Sequence, residues 1–144
     1  ISSGNYIADA VLSSKISMAI ECGIDFDCKA SLPESLPIDD VDFCSMLSNI
    51  LENAIEACKR ISDKPFIRCN VEKIKRQLII EVENSSDGNY KKNGDVFESV
   101  KENGMHGIGL RHTQSIIEEY EGLCSINAEK NIFKILVSIP LKDE

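Results

Sequence analysis

Apolar positions recur along the chain with two different spacings. Residues 5–21, NYIADAVLSSKISMAIE, have a helical spacing with Ile7, Val11, Ser14 and Met18 on one stripe, and Gly23 stops that helix. IDFDCKASL then alternates through Ile24, Phe26, Cys28, Ala30 and Leu32, which predicts a half-buried strand. Asp39 or Asp40 can cap a helix over 40–60. PFIRCNV and RQLIIEVEN read as two strands with EKIK as the hairpin turn, and LCSINA and IFKILVSIP as two more around EKN. Between them, Gly107–Tyr120 reads as a helix ended by Gly122. Residues 84–106 lack a sustained period and are rich in Gly, Asn, Ser and Lys. A segment of that length inside a domain is usually functional or disordered. The order predicts an α+β sandwich, a mixed sheet of about five strands covered on one face by about three helices.

Three stretches carry candidate chemistry. In LSNILENAIEAC, Leu47, Ile50, Leu51, Ala54 and Cys58 fall within about 120° of arc and form the core face. Asn49, Asn53 and Glu56 stack on a flank about 140–160° away. Asparagine is a poor helix former, so two of them four apart are either a solvated flank or the edge of a ligand site. A carboxamide oxygen can coordinate a hard cation, and its NH₂ can donate to a phosphate. In GMHGIGLRHTQSII, Gly104, Gly107 and Gly109 precede the predicted helix. Such a turn either serves as a flexible cap or aims backbone N–H groups at an anion. The pattern is neither a Walker A motif nor a Rossmann fingerprint. In IIEVENSSDG an apolar strand ends in a polar turn, where Asn84 or Asp87 could accept from a purine amine.

Composition narrows the classes. The 144 residues suit one domain, and a net charge of −8 argues against a general nucleic-acid or anionic-membrane binder. No apolar run reaches the ~18 residues of a membrane span. Six cysteines stand at 22, 28, 44, 58, 69 and 124 without a C-x-x-C pair, and His106 and His112 are the two histidines. That pattern reads as reduced, buried thiols of an intracellular protein rather than as a zinc site. The chain starts ISSGNY without Met and is expected to be part of a longer protein.

Together and in this order, the three stretches resemble the GHKL ATP-binding fold, shared by sensor histidine kinases and gyrase-type ATPases. NILENAIEA resembles the N-box of the histidine kinases, HGIGL the glycine box, and residues 84–106 the ATP lid, with Phe97 and Lys101 at the lid's usual phenylalanine and basic positions. The resemblance implies ATP and Mg²⁺ as cofactors, with Asn53 holding Mg²⁺ and the phosphates. It further implies nucleotide contacts from Asn49, Asn84, Asp87, Gly88, Lys101, His106, Gly107, Ile108, Gly109 and Leu110, with Arg111 near the phosphates. His112 is expected to be an ordinary surface or packing histidine. Gyrase-type ATPases carry a water-activating glutamate where this chain has Asn49. The resemblance therefore implies phosphoryl transfer to a histidine on an upstream dimerisation domain, with Asn49 and Asn53 as catalytic residues, and an isolated fragment inactive without that domain. The family's adenine box is D-x-G-x-G, and here it is Asn84-Ser85-Ser86-Asp87-Gly88. This departure resembles the peptide-sensing, quorum-sensing AgrC-like subgroup. Expected partners are ATP, the phosphoacceptor histidine, a response regulator and a second copy in a full-length homodimer. Nucleic acid and direct membrane contact are not expected, and the location is the cytoplasmic part of a membrane-anchored bacterial sensor. Residues 1–22 are expected to be the end of the dimer helix or the domain's first helix, and 23–144 the catalytic domain. Alternatives are a non-catalytic nucleotide-binding module, a GHKL ATPase or an anti-sigma-type serine kinase.

Overall fold

Asp39 opens the central helix. Its carboxylate accepts from the N–H groups of Val41 and Asp42 at 2.9 and 3.1 Å, satisfying two donors that a helix start leaves free. In the computed structural model, which describes residues 1–88 and 104–142 apart from the side chains of 104–109, this helix is α2, Asp40–Cys58. Helix α1 is Tyr6–Glu21, capped by Asn5, whose Oδ1 accepts from the N–H of Ala8 at 3.0 Å. Helix α3 is Gly104–Glu119. The strands are β1 (Asp25–Ser31), β2 (Phe66–Ile74), β3 (Gln77–Ser85), β4 (Leu123–Ala128) and β5 (Ile132–Pro140).

The strands form one sheet in the order β1-β2-β3-β5-β4. β1 runs parallel to β2, and every other pair is antiparallel. A parallel step needs a crossover, which α2 supplies. The register stacks the core in rows: Val71, Ile80 and Val137 oppose one another, as do Cys69, Val82 and Ile135. All six are buried towards the helices, whereas Arg68, Glu83 and Lys134 alternate with them and face away. Against these rows α2 buries Phe43, Met46, Leu47, Ile50, Leu51, Ala54 and Ile55. Each large side chain so buried stabilises by about 1.5–3 kcal/mol. This is the mixed five-stranded sheet with three helices that the periodicities predict.

Four details differ from the sequence reading. The buried stripe of α1 is Ala8, Val11, Leu12, Lys15 and Ala19, while Met18 is exposed. Lys15 lies in that stripe because its stem packs inward and its Nζ pairs with Glu52 of α2 at 2.7 Å. EKIK is not the turn: β2 continues to Ile74 and the chain reverses at Lys75–Arg76, with Lys75 at φ +57. That left-handed conformation usually falls to Gly or Asn, so a lysine there gives no local sign. Helix α3 begins at Gly104, so the three glycines lie within its first turns rather than ahead of them. Packing of α3 in the helix layer, where Leu110 is buried, overrides glycine's poor propensity. Cys58 and Cys69 are buried as expected, but Cys22 and Cys44 are exposed. No described helix is long and apolar enough to cross a membrane.

Candidate functional site

Asn49 and Asn53 lie on the same side of α2 as Asp42, the residue that bonds to the chain just past α3. Asp42 marks that side: its Oδ2 accepts from the Tyr120 hydroxyl at 2.8 Å, just beyond the end of α3, and the same oxygen of Tyr120 accepts from the N–H of Asp39 at 3.1 Å. At 100° per residue Asp42, Asn49 and Asn53 share about 40° of arc. About 60–100° further round the helix, Glu52 reaches α1 through Lys15. Both asparagines are half-buried, and Ala57, one turn beyond Asn53, is buried. The core face of α2 thus reaches further towards Asn53 than the spacing alone indicates.

The Tyr120 contact also sets the level of α3. Asn53 lies about 16 Å along α2 from Asp42, and Gly109 about 16 Å back along α3 from Tyr120, at 1.5 Å per residue. The glycine-rich start of α3 and Asn53 therefore occupy one end of the helix layer. Helix starts present unpaired N–H groups and favour anions; in α3 these belong to the turn that begins at Gly104, and Gly107, Ile108, Gly109 and Leu110 follow it inside the helix. The side chain of Leu110 itself is buried in the core.

Strand β3 ends at the same place. The Sγ of Cys58, the last residue of α2, lies 3.6 Å from Ser85 Oγ and 3.9 Å from its carbonyl oxygen. Burial raises this thiol above the usual range and keeps it neutral. Beside it, Asn84 occupies a helix-facing position between Ile67 and Phe133, in the series Leu78, Ile80, Val82. A carboxamide there, 1% exposed, costs about 1–3 kcal/mol for each hydrogen bond left unmade. Its Nδ2 donates to the Ser85 carbonyl at 2.9 Å; its oxygen is the atom able to accept from an amine.

The rest of NSSDG has structural work. Ser85 Oγ accepts from the N–H of Phe66 at 2.9 Å, and the N–H of Ser86 donates to the Asn131 carbonyl at 2.8 Å. Asp87 is exposed and ion-paired with Arg60 at 3.2 Å. Of the two acceptors considered for a purine amine, Asn84 is thus the one on the helix-facing side. Gly88 sits at φ +77, and a Cβ there would stand 2.3 Å from the Lys130 carbonyl oxygen. Gly88→Ala is expected to destabilise by about 2–3 kcal/mol and lower Tm by several degrees, read by thermal unfolding.

Two features escape sequence reading. Thr113, on the buried face of α3, is 1% exposed and its hydroxyl has no partner among the described residues. A groove lined by Asp27, Lys29, Arg68, Asn70, Glu81 and Lys134 lies on the uncovered face of the sheet. Its charges pair across strands, Arg68 with Glu83 at 3.6 Å and Lys134 with Glu81 at 2.9 Å, so we read it as a solvated ion-pair lattice rather than the site. Lys101 and Phe97 fall outside the described residues, as does the side chain of His106; His112 is exposed on α3. No cluster of three or more His, Cys, Asp or Glu able to hold a metal occurs among the described residues.

The family described as "GHKL domain" matches residues 38–140. No curated protein matches the chain. Among solved structures, a catalytic domain of histidine kinase ThkA superposes with a TM-score of 0.72 at 20% identity, covering 96% of this chain and 93% of that one. The Acinetobacter baumannii histidine kinase AdeS superposes at 0.67 and 16% identity, covering 95% of this chain and 64% of its own. The histidine kinase domain of the blue-light-activated kinase of Erythrobacter litoralis superposes at 0.64 and 12% identity, covering 94% and 61%. The chain thus spans less than two thirds of the latter two.

Proposed function

The chain belongs to the GHKL domain family, and from that premise we propose that it is the ATP-binding catalytic domain of a two-component sensor histidine kinase. The observation that carries this reading is the convergence of Asn53, the buried Asn84 and the start of α3 at one end of the helix layer. In this reading adenine lies over the end of β3, where the Asn84 oxygen accepts from its amine. The phosphates lie at the start of α3, whose first unpaired N–H groups favour an anion, with the glycine-box residues Gly107–Leu110 directly behind them. Asn53 would be the residue of this chain to hold Mg²⁺, a hard cation suited to carboxamide oxygen. When bound, the ion neutralises charge on the transferring phosphoryl group. The sequence resemblance adds Lys101, His106 and Arg111 as phosphate contacts.

Asn49 decides between transfer and hydrolysis. A carboxamide has no basic site with which to deprotonate water. The nucleophile then arrives on the acceptor, which the sequence resemblance makes a histidine imidazole of the upstream dimerisation helices. A homodimeric, membrane-anchored sensor with this domain in the cytoplasm, an AgrC-like peptide signal and a response regulator downstream complete the proposal. They rest on the sequence resemblance.

The test supplies γ-labelled Mg·ATP and a dimerisation helix pair bearing the phosphoacceptor histidine to the purified chain. Acid-labile, base-stable phosphohistidine is the expected product. Acid-stable phosphoserine, or steady release of inorganic phosphate dependent on Asn49, would replace this reading with the serine-kinase or ATPase one.

A further inference from the structure

Cys28 and Cys69 stand side by side in the sheet. β1 and β2 run parallel, and their register pairs Cys28 directly with Cys69. Both point towards the helices: Cys28 alternates with Phe26 and Ala30, and Cys69 with Ile67 and Val71. Paired positions in adjacent strands lie about 4.8 Å apart, inside the ~4.4–6.8 Å Cα separation that a disulfide spans. Same-face partners also project their Cβ atoms in the same direction. The other four cysteines share no such register with any cysteine.

Access to the two thiols is unequal. Cys69 is 4% exposed, whereas Cys28, on the edge strand, is half-buried. The neighbouring Cys69 S–H lowers the Cys28 thiol from its usual range, against an opposing effect of burial. The same contact, together with burial, raises Cys69. Cys28 is therefore the thiol that ionises and meets a small reagent first.

We propose that Cys28 and Cys69 form an oxidation site, a dithiol that a small peroxide closes reversibly to a disulfide. The Cys28 thiolate attacks one peroxide oxygen and the O–O bond breaks. Sulfur is oxidised to the sulfenic acid, and the departing oxygen takes up a proton and leaves as water. The Cys69 sulfur then attacks the Cys28 sulfur, the S–S bond forms, and the S–O bond breaks. That hydroxyl leaves as a second water with the Cys69 proton. Two thiols and one peroxide give one disulfide and two waters. The bond ties the edge strand to β2 and closes a loop that contains the whole of α2. Such a loop restricts the unfolded chain, so the oxidised protein is the more stable one.

The test uses the chain with the exposed Cys22 and Cys44 replaced by serine. It is treated with hydrogen peroxide, alkylated in denaturant, digested and weighed. The expected result is a peptide pair linking Cys28 to Cys69, lighter than the separate thiol peptides by two hydrogens. Tm should rise by about 5–10 °C and return with dithiothreitol. Cys28→Ala, at a half-exposed position, should abolish both effects. The proposal is overturned by fully alkylatable thiols after treatment, by sulfinic acid on Cys28 without a linked peptide, or by links that run mainly through Cys58 or Cys124. Nucleotide binding enters none of these readouts.

Discussion

Replacing Asn53 by alanine is expected to weaken Mg·ATP binding by about one to two orders of magnitude and leave the fold intact. A hydrogen bond or metal contact to a charged group contributes about 1.5–3 kcal/mol. Asn53 supplies one at the end of α2 where the start of α3 favours phosphate, so affinity should fall by about 10- to 150-fold. The fold has little to lose. Asn53 is half-buried and lies off the main core face of α2. Alanine is also a better helix former than asparagine by roughly 0.5 kcal/mol. Asn53→Ala should therefore unfold at the same temperature as the parent or slightly higher. Calorimetric titration beside a thermal scan separates the two quantities. A drop in Tm with unchanged affinity per folded molecule would show that Asn53 is structural.

Leu51→Ala, two residues away, should give the opposite pair of results. Leu51 is 0% exposed and in the middle of the α2 core face. Removing it forfeits the buried methyl groups and leaves a cavity, about 3 kcal/mol in all. For a chain of this size that lowers Tm by roughly 10 °C. Two positions apart on a helix are about 200° apart in direction, so Leu51 faces the sheet and not the proposed nucleotide edge. Folded Leu51→Ala should bind Mg·ATP as the parent does.

The contrast between these two side chains was readable in the sequence, because it needs only the helical period. So was the order of elements, because β2, β3 and β5 alternate cleanly and α2 carries a broad apolar face. What the sequence could not show depends on partners far away along the chain. That α3 ends beside the start of α2, on the side of Asp42, follows from the Tyr120–Asp42 hydrogen bond, 78 residues apart. Lys15 looks like a surface residue until Glu52 meets it from α2. Thr113 offers no local sign of being buried without a partner. The Cys28–Cys69 pairing exists only once the crossover through α2 sets the parallel register. Asn84 lies between these cases. Its place in the strand series was legible, but its position between Ile67 and Phe133 was set by two neighbouring strands.

The most direct test of the central claim is isothermal titration calorimetry of the folded chain with a non-hydrolysable ATP analogue, with and without magnesium. The account requires one nucleotide bound per chain, more weakly when magnesium is withheld, and affinity lower by about 10- to 150-fold in Asn53→Ala. A folded parent chain that takes up no nucleotide at millimolar concentration would contradict it.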